Sequence, residues 1–214
     1  KVTAVDAYTP LLAHKNEDIY SRTDHHWQPL GAYYAAEAFA EAAKVDFEPL
    51  DSYKKMTLSN YVGTLYGYSQ STDLLNHPER FVYYKPKDLA SLKVTQYNTY
   101  FGGPVDAELF NDPANLDNSS YYLVLGTDER IVHVENPKCK NGRNLVIFKD
   151  SYGNALLPFL VDSFENIYLC DIRYFNLNAV SFAEEVECTD MLFAMCTYSA
   201  VGPNKDYIYW HINQ

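Results

Sequence analysis

Residues 144–154 read NLVIFKDSYGN, so that four consecutive apolar residues give way to a charged pair, a serine and a Gly/Asn turn. A short apolar run of this kind is typical of a buried strand, and residues 155–162 after it predict a short helix. Ser151 therefore lies at a predicted strand-to-helix junction, where backbone N–H groups and the positive end of a helix favour a developing oxyanion. Gly153 permits the tight turn that such a junction needs. Capping of the helix by Ser151 or Asp150 is an equally open interpretation.

A second informative stretch, residues 23–28, reads TDHHWQ and stands just ahead of a predicted helix over residues 32–44. Asp24 and His26 lie two residues apart on one loop, a spacing that allows the carboxylate to lie beside the imidazole and fix its tautomer. With Ser151 they supply the three groups of a Ser-His-Asp acyl-transfer site. The prediction is that Asp24 orients the ring, His26 acts as the base and Ser151 as the nucleophile.

The same loop also allows a metal-site hypothesis, in which Asp24, His25 and His26 are ligands and His14 lies nearby. Adjacent residues seldom point at one ion, however, and the sequence contains neither an H-x-x-x-H nor an HExxH pattern. The sequence therefore favours acyl transfer, and predicts neither a metal nor another cofactor.

Other residues are candidates for holding the oxyanion or the substrate. Gly63 lies in the stretch NYVGTLY, residues 60–66, and is either an oxyanion N–H donor or a plain turn glycine. Arg173 follows a predicted strand end, and either binds a substrate carbonyl or carboxylate or forms an ordinary ion pair with Asp171. The complete set of these candidates is Gly63, Tyr152, Asn154, Arg173 and His25.

The rest of the chain predicts an α/β fold. Strands are predicted at residues 2–12, near 80–84 and 94–97, and at 121–125, 130–134, 144–149, 166–170 and 191–197, with 121–125 and 130–134 forming a hairpin. Strands that are separated by helical patterns favour a mostly parallel sheet with helices on both faces. Residues 46–120, with scattered Tyr, Asn, Pro and Gly, predict an irregular insertion or cap within one domain that spans residues 1–214.

Composition excludes several classes of function. The chain of 214 residues carries 28 acidic and 17 basic side chains, a formal net charge of -11, which argues against nucleic acid and disfavours anionic lipid surfaces. No apolar run approaches the roughly 20 residues of a membrane span. The 20 tyrosines are compatible with a surface that binds flat polar partners such as sugars, or with the edge of a core.

Targeting and redox state are less constrained. The chain starts at Lys1 without a signal-like segment, and we expect it to be the soluble part of a longer protein whose targeting segment is absent here. The cysteines show no CxxC pair and no zinc-like spacing, so that a disulfide is neither required nor excluded. They are Cys139, Cys170, Cys188 and Cys196.

Four motifs, taken in order along the chain, resemble those of the DHHY family. They are TDHHW followed by GAYY at residues 23–34, Y-x-GTLY at 61–66, KDSYGNA at 149–155 and D-x-RYF at 171–175. This family consists of bacterial proteins similar to the alginate O-acetylation proteins AlgJ and AlgX, within the wider SGNH-hydrolase group. The resemblance extends from about residue 20 to about residue 200.

The resemblance implies an SGNH-hydrolase-like three-layer α/β/α sandwich with a mostly parallel sheet and a permuted order, Asp-His before Ser. The usual Gly-Asp-Ser block of SGNH enzymes is replaced here by Lys149-Asp150-Ser151. It further implies an extracytoplasmic O-acetyltransferase or acetylesterase that acts on a cell-surface or secreted polysaccharide, with a membrane-bound acyltransferase as the partner that donates the acyl group. The alternatives are a non-catalytic glycan-binding or envelope scaffold with the same fold, and a metal-dependent hydrolase.

Overall fold

The computed structural model describes residues 2–97, 103–115 and 120–213, and shows a mixed α/β fold. The helices are α1 (Tyr8–Ala13), α2 (Pro29–Ala43), α3 (Thr64–Ser69), α4 (Thr72–Asn76), α5 (Leu157–Leu160), α6 (Ala179–Glu185), α7 (Thr197–Val201) and α8 (Lys205–Asn213). The strands are β1 (Lys54–Tyr61), β2 (Glu79–Lys85), β3 (Lys93–Tyr97), β4 (Val105–Ala107), β5 (Ile131–Glu135), β6 (Asn144–Lys149), β7 (Asn166–Asp171) and β8 (Asp190–Ala194). Short 3-10 turns occur at Leu50–Ser52, Leu89–Ser91, Pro113–Asn115, Ser120–Leu123 and Ser151–Leu156.

The chain divides into two compact units. The first contains Lys1–Leu89, Phe110–Gly126 and Ala155–Leu160, and the second contains Ala90–Leu109, Thr127–Asn154 and Val161–Gln214. The predicted single domain with an insertion at residues 46–120 stays a prediction, as does the three-layer arrangement. Among the helices that the structure describes, none combines the length and the apolar character that a membrane crossing requires.

Helix α2 and a two-stranded sheet dominate the first unit. The sequence predicts this helix at residues 32–44, and the structure extends it back to Pro29, whose missing N–H costs nothing at the first helical position. The alanines at every fourth position, Ala32, Ala36 and Ala40, are all 0% exposed and let the helix pack closely. Strands β1 and β2 pair antiparallel, in a register that sets Tyr61 opposite Glu79.

The predicted strand at residues 2–12 is wrong, because residues 8–13 form helix α1. The carboxylate of Asp6 accepts hydrogen bonds from the Thr9 amide at 3.0 Å and from the Thr9 hydroxyl at 2.7 Å. These bonds satisfy a donor at the helix start that a strand would have paired with another chain segment.

A six-stranded sheet in the order β4-β3-β5-β7-β6-β8 forms the centre of the second unit. The β4/β3, β3/β5 and β5/β7 pairs are antiparallel, whereas β7/β6 and β6/β8 are parallel. The predicted mostly parallel sheet is therefore wrong, and the sheet is mixed. The predicted hairpin is also wrong, because β5 pairs with β3 and β7, and residues 121–125 form no strand.

Strand β6 is buried on both faces, which is typical of a central parallel strand. Val146 and Phe148 join a cluster with residues of β5, β7 and α6, and residues of α8 pack against that cluster. Leu145 and Ile147, on the opposite face, are 0% exposed. Burying each of these side chains contributes about 2 kcal/mol. The strand ends at Lys149, and the chain turns directly into the 3-10 segment that begins at Ser151, four residues before the predicted helix start.

Candidate active site

Residues 21–26 form a closed loop in the first unit. Tyr20 and Trp27 pair as an antiparallel bridge, and the Ser21 amide donates to the His26 carbonyl at 3.2 Å. The Gln28 amide donates to the Ile19 carbonyl at 3.0 Å, just before α2 begins. Backbone hydrogen bonds therefore join the two ends of the loop, immediately ahead of the helix.

Asp24 and His26 meet inside this loop. Nδ1 of His26 lies 2.6 Å from Oδ1 of Asp24, and both side chains are 1% exposed. The His26 amide also donates to Oδ1, at 3.0 Å. Because a carboxylate only accepts, Nδ1 carries the proton, and Nε2 is the nitrogen that can take up a proton.

The second oxygen of Asp24 is fixed by the neighbouring segment. Oδ2 accepts from the Tyr61 hydroxyl at 2.7 Å and from the Thr64 amide at 2.9 Å. Burial would raise the pKa of the Asp24 carboxyl, but the hydrogen bonds from His26, Tyr61 and Thr64 outweigh burial and lower it. Burial and the Asp24 charge together raise the pKa of Tyr61, which keeps its hydroxyl a donor. Asp24 is therefore an anion held by four donors, two on each oxygen.

The ring of His26 is also held from its face. Tyr121 stacks on it with the ring centroids 3.7 Å apart and the planes 6° from parallel. His26 is 2% exposed, so that its imidazole has little freedom to rotate. A base in a fixed orientation is what proton transfer at a single reacting atom needs.

A buried carboxylate, Glu79, organises the preceding residues. It accepts from the Arg22 amide at 3.0 and 3.1 Å, from the Thr23 amide at 2.8 Å and from the Thr23 hydroxyl at 2.5 Å, and it also accepts from the Ser21 hydroxyl. Burial would raise the pKa of Glu79, but these donors lower it. Since Tyr61 and Glu79 are register partners in β1 and β2, the two-stranded sheet supplies both anchors of the loop.

Gly63 lies where a side chain would not fit. A Cβ atom at this position would be 2.4 Å from Cβ and 2.5 Å from Oδ2 of Asp24. The Gly63 amide donates to the Thr23 hydroxyl at 3.0 Å, and this hydrogen bond connects Gly63 to the loop of residues 21–26. Its predicted oxyanion role stays a prediction, whereas its close approach to Asp24 is a direct reason for glycine.

His25 lies beside the pair and faces outward. Its Nδ1 is 2.6 Å from the Thr64 hydroxyl and 3.7 Å from Oδ1 of Asp24, and its side chain is 40% exposed. Its ring centroid is 3.8 Å from that of His26. The three side chains of Asp24, His25 and His26 therefore offer ligand atoms within 4.8 Å of one another.

The metal hypothesis fits these contacts poorly. Both oxygens of Asp24 accept hydrogen bonds from protein donors, and the Nδ1 atoms of both histidines are engaged. An ion would have to displace several of these bonds. His14, which the hypothesis places nearby, pairs with Glu17 and stacks on Tyr34.

The serine turn lies in the second unit, at the carboxyl end of β6. Ser151 is the first residue of the 3-10 segment and is 9% exposed. Asp150 holds the turn, because its Oδ1 accepts from the Tyr152 amide at 3.0 Å and its carbonyl from the Gly153 amide at 3.0 Å. Oδ2 of Asp150 also accepts from the Cys196 amide at 3.1 Å, which joins the turn to the segment after β8.

Lys149 lies in a buried group of charges beneath this turn. Its Nζ contacts Oδ1 of Asp128 at 2.9 Å and Oδ2 of Asp171 at 2.8 Å, and its side chain is 1% exposed. Burial would raise the pKa of Asp128, but the charges of Lys149 and Arg173 lower it. A Cβ at Gly153 would be 2.4 Å from Cβ of Lys149, so the turn requires glycine where it crosses the lysine stem.

Arg173 completes this group. Its Nη2 lies 2.7 Å from Oδ2 of Asp128 and 2.6 Å from Oδ2 of Asp171. Burial would lower the pKa of Arg173, but the two carboxylates raise it. The ion pair with Asp171 that the sequence allowed is thus present, and a substrate-binding role for Arg173 stays a prediction. Asn154 donates to Asp128 at 2.9 Å and belongs to the same network.

The predicted site residues thus fall in both units. Asp24, His25, His26 and Gly63 lie together in the first, and Ser151, Tyr152, Asn154 and Arg173 lie in the second. The sequence does not predict the partners that fix these residues. Three of these partners, Tyr61, Thr64 and Asp171, lie within the four sequence motifs. The other two, Glu79 and Asp128, lie in no pattern that would predict a role in the site. These partners are Tyr61, Thr64, Glu79, Asp128 and Asp171.

Comparison with known proteins adds a sequence family and several similar structures. Residues 1–170 match the family described as DHHW protein. A crystal structure of a DHHW family protein from Eubacterium siraeum is 47% identical, with a TM-score of 0.89 over 97% of this chain and 69% of that one. Bacillus cereus PatB1 with a sulfonyl adduct is 20% identical, with a TM-score of 0.71 over 90% of this chain and 68% of that one, a likeness of fold.

The O-acetyltransferase domain of Pseudomonas putida AlgJ is 15% identical, with a TM-score of 0.46 over 99% of this chain and 67% of that one. This likeness is too low to support an inference. A search of curated protein sequences finds no match to the chain.

Proposed function

This chain belongs to the DHHW family, and from that premise we propose that it is an O-acetyltransferase or acetylesterase that works through a serine acyl-enzyme. The motifs resemble those of a DHHY family, but the matching family is DHHW, and Trp27 is indeed the fourth residue of the motif. The proposed fold in finer terms is SGNH-hydrolase-like, with the Asp-His pair ahead of the serine in the chain.

The observation that carries the proposal is the buried Asp24–His26 pair. Its Nδ1–Oδ1 distance is 2.6 Å, and the carboxylate is anionic because Tyr61 and Thr64 also donate to it. A buried carboxylate in this position stabilises the imidazolium that forms when Nε2 takes up a proton. A purely structural histidine would need only one acceptor, not an aspartate held by three further donors.

The proposed reaction begins with Ser151. Nε2 of His26 removes the hydroxyl proton while Oγ attacks the acetyl carbonyl, and the resulting tetrahedral oxyanion collapses. The bond to the leaving oxygen breaks, His26 returns the proton to that oxygen, and acetyl-Ser151 remains. In the second half a sugar hydroxyl, or water, gives its proton to Nε2 of His26 and attacks the acetyl carbonyl. The bond between the acetyl carbon and Oγ of Ser151 then breaks, and His26 returns the proton to Oγ.

The proposal includes the setting of the reaction. The acceptor is a cell-surface or secreted polysaccharide, the acyl donor is a membrane-bound acyltransferase partner, and the location is extracytoplasmic. The net charge of -11 supports a partner other than nucleic acid. A non-catalytic glycan-binding scaffold with the same fold is the competing function, and the experiment below separates the two.

The test is turnover of p-nitrophenyl acetate by the wild type and by Ser151→Ala and His26→Ala, with intact-mass detection of acetylated protein. We expect a burst and an acetyl adduct with the wild type only, and a loss of about a thousandfold or more in each variant. A sulfonyl fluoride is a second probe, suggested by the sulfonyl adduct of PatB1. It should label the wild type and leave Ser151→Ala unlabelled.

Ser181→Ala is the matched control, because Ser181 is an exposed serine on α6 of the same unit. It should behave as the wild type in both assays. Equal rates for the wild type and Ser151→Ala, with no adduct and no sulfonyl labelling, would reject the enzyme and favour the scaffold. Loss of turnover on treatment with a chelator would favour the metal hypothesis.

A further inference from the structure

Four aromatic rings lie in contact from the interior to the surface of the first unit. Tyr121 stacks on His26 at 3.7 Å, His26 lies 3.8 Å from His25, and His25 meets the edge of Tyr68 at 6.1 Å between centroids. Tyr121 is 3% exposed and Tyr68 is 79% exposed. The rings therefore form a continuous path from the buried histidine of the candidate dyad to solvent.

Helix α3 determines where Tyr68 stands. Thr64 and Tyr68 are four residues apart on this helix, so they lie on one face. Thr64 is anchored to the dyad, because its amide donates to Asp24 and its hydroxyl contacts His25. The anchoring of the first helical turn thus places Tyr68 beside His25.

Stability does not explain the position of Tyr68. A ring that is 79% exposed removes little apolar area from water and contributes little to folding. Exposed single tyrosines are common, but this one adjoins the exposed imidazole of His25, which is itself in contact with the candidate base. Flat aromatic faces with a polar group at the rim suit ligands that are apolar on one side and rich in hydroxyls on the other.

We propose that Tyr68 and His25 form a binding platform for an uncharged pyranose ring, which rests on the proposed function insofar as that ring belongs to the acceptor glycan. The C–H face of the sugar packs on the Tyr68 ring. The Tyr68 hydroxyl and the His25 imidazole exchange hydrogen bonds with sugar hydroxyls. The net charge of -11 disfavours an anionic sugar, because long-range repulsion lowers its local concentration.

Titration of the full chain, carrying Ser151→Ala so that no turnover occurs, with cellohexaose and with chitohexaose tests the platform. Tyr68→Ala should weaken binding of whichever hexasaccharide binds by about tenfold, the equivalent of one aromatic contact. Tyr68→Phe should retain most of the affinity. In chains with Ser151 intact and p-nitrophenyl acetate as donor, Tyr68→Ala should shift the acetyl group from the hexasaccharide toward water by a similar factor.

Tyr8→Ala is the matched control, since Tyr8 is 73% exposed in the same unit but lies on α1. Its affinity should equal that of the unsubstituted chain. The platform is rejected if neither hexasaccharide binds, if Tyr68→Ala binds as the unsubstituted chain does, or if Tyr8→Ala loses as much. Tighter binding of hexagalacturonate than of cellohexaose would overturn the uncharged ligand.

The platform and the proposed enzyme can fail separately. Binding that depends on Tyr68, together with no acetyl adduct on Ser151, retains the platform and rejects acyl transfer. An acetyl adduct together with hexasaccharide binding that is insensitive to Tyr68→Ala retains the enzyme and rejects the platform.

Discussion

Glu79 acts on the Asp-His loop through its negative charge. Its carboxylate accepts two backbone amides and two hydroxyls from residues 21–23. The Thr23 hydroxyl that donates to it also accepts from the Gly63 amide, and the Ser21 hydroxyl accepts from the Asp24 amide. The Thr23 hydroxyl therefore links Glu79 to Gly63, and the Ser21 hydroxyl links Glu79 to Asp24.

Glu79→Gln should disturb this arrangement at nearly constant side-chain volume. The new amide group presents N–H donors where the loop also presents donors, and we expect a loss of about 2 kcal/mol in the free energy of unfolding. We also expect a fall of about tenfold in kcat for acetyl-ester turnover, because the base is less well fixed. Denaturant unfolding and steady-state kinetics measure the two effects.

Glu41→Gln makes the same chemical change at an exposed position of α2. It should change the unfolding free energy by less than about 0.5 kcal/mol. If Glu79→Gln resembles this control in both assays, Glu79 does not position the loop.

At the residue scale, the sequence predicts some of the hydrogen-bond partners in the candidate site but not others. The spacing of Asp24 and His26 leads directly to their observed contact, because a carboxylate reaches the imidazole two residues on. The bond from Tyr61 to Asp24 spans 37 residues, and that from Thr23 to Glu79 spans 56. No local pattern fixes such pairs, since they depend on the register of β1 and β2.

Strand β6 and the turn after it depend on a lysine ammonium. Lys149 balances Asp128 and Asp171, together with Arg173. A buried ion pair is weak support for stability in itself, but removal of one partner leaves a buried charge uncompensated.

Lys149→Met keeps the unbranched stem that crosses Gly153 and removes the charge. We expect a loss of about 3–5 kcal/mol in the free energy of unfolding, measured by denaturant titration. Adding Asp128→Asn restores equal numbers of positive and negative charges in the group. The double variant should therefore lose less unfolding free energy than the sum of the losses of the two single variants.

Lys140→Met is the control for this element, because Lys140 is 68% exposed and its ion pair with Glu165 spans 3.4 Å. Exposed pairs contribute about 0–1 kcal/mol. An equal cost for Lys149→Met and Lys140→Met would show that the buried group does not support the turn.

Elements with a strong local pattern were predicted well. Helix α2, strands β6 and β7, and the pieces near β2 and β3 follow from apolar periodicity and are confirmed. Residues 121–125 have the composition of a strand, but Leu125 and Gly126 have φ angles of 69° and 81°. These two residues only end the segment, whereas the 3-10 turn Ser120–Leu123 before them takes the place of the predicted strand, and composition alone does not reveal it.

At the scale of the whole molecule, the sequence-based prediction is wrong mainly in the relative direction of the strands, which it expects to be mostly parallel. The sequence predicts the alternation of strands and helices after residue 140, and there β6 pairs parallel with β7 and β8. The antiparallel half depends on β5, which pairs with β3 and β7 across long separations in sequence. Such pairing is set by the packing of the complete sheet, and for this reason local patterns gave the elements but not their order.

Carboxyl groups in both units predict how stability depends on pH. The pKa values of Asp24, Glu79, Asp128 and Asp190 are all lowered in the folded chain by their hydrogen-bond and ionic partners, against the effect of burial. The unfolded chain then binds more protons, so their contribution is complete above the ordinary carboxyl pKa of about 4 and is lost as the pH falls below it.

We therefore expect similar denaturant midpoints at pH 7 and pH 5.5, and a markedly lower midpoint at pH 3. Asp190→Asn should reduce this acid dependence, because Asp190 loses its charge while its neighbour Arg143 remains in place. A midpoint that is unchanged between pH 5.5 and pH 3 would contradict the lowered pKa values.

The crossing of Gly153 over Lys149 also constrains how this sequence evolves. A side chain at position 153 would overlap Cβ and Cγ of Lys149, at 2.4 and 2.9 Å, which are atoms close to the backbone that cannot swing aside. Lineages that retain lysine at 149 should therefore retain glycine at 153, whereas a lineage with glycine at 149 is released from that restriction. The two positions are expected to covary among homologues, with the lysine substituted first and the glycine afterwards.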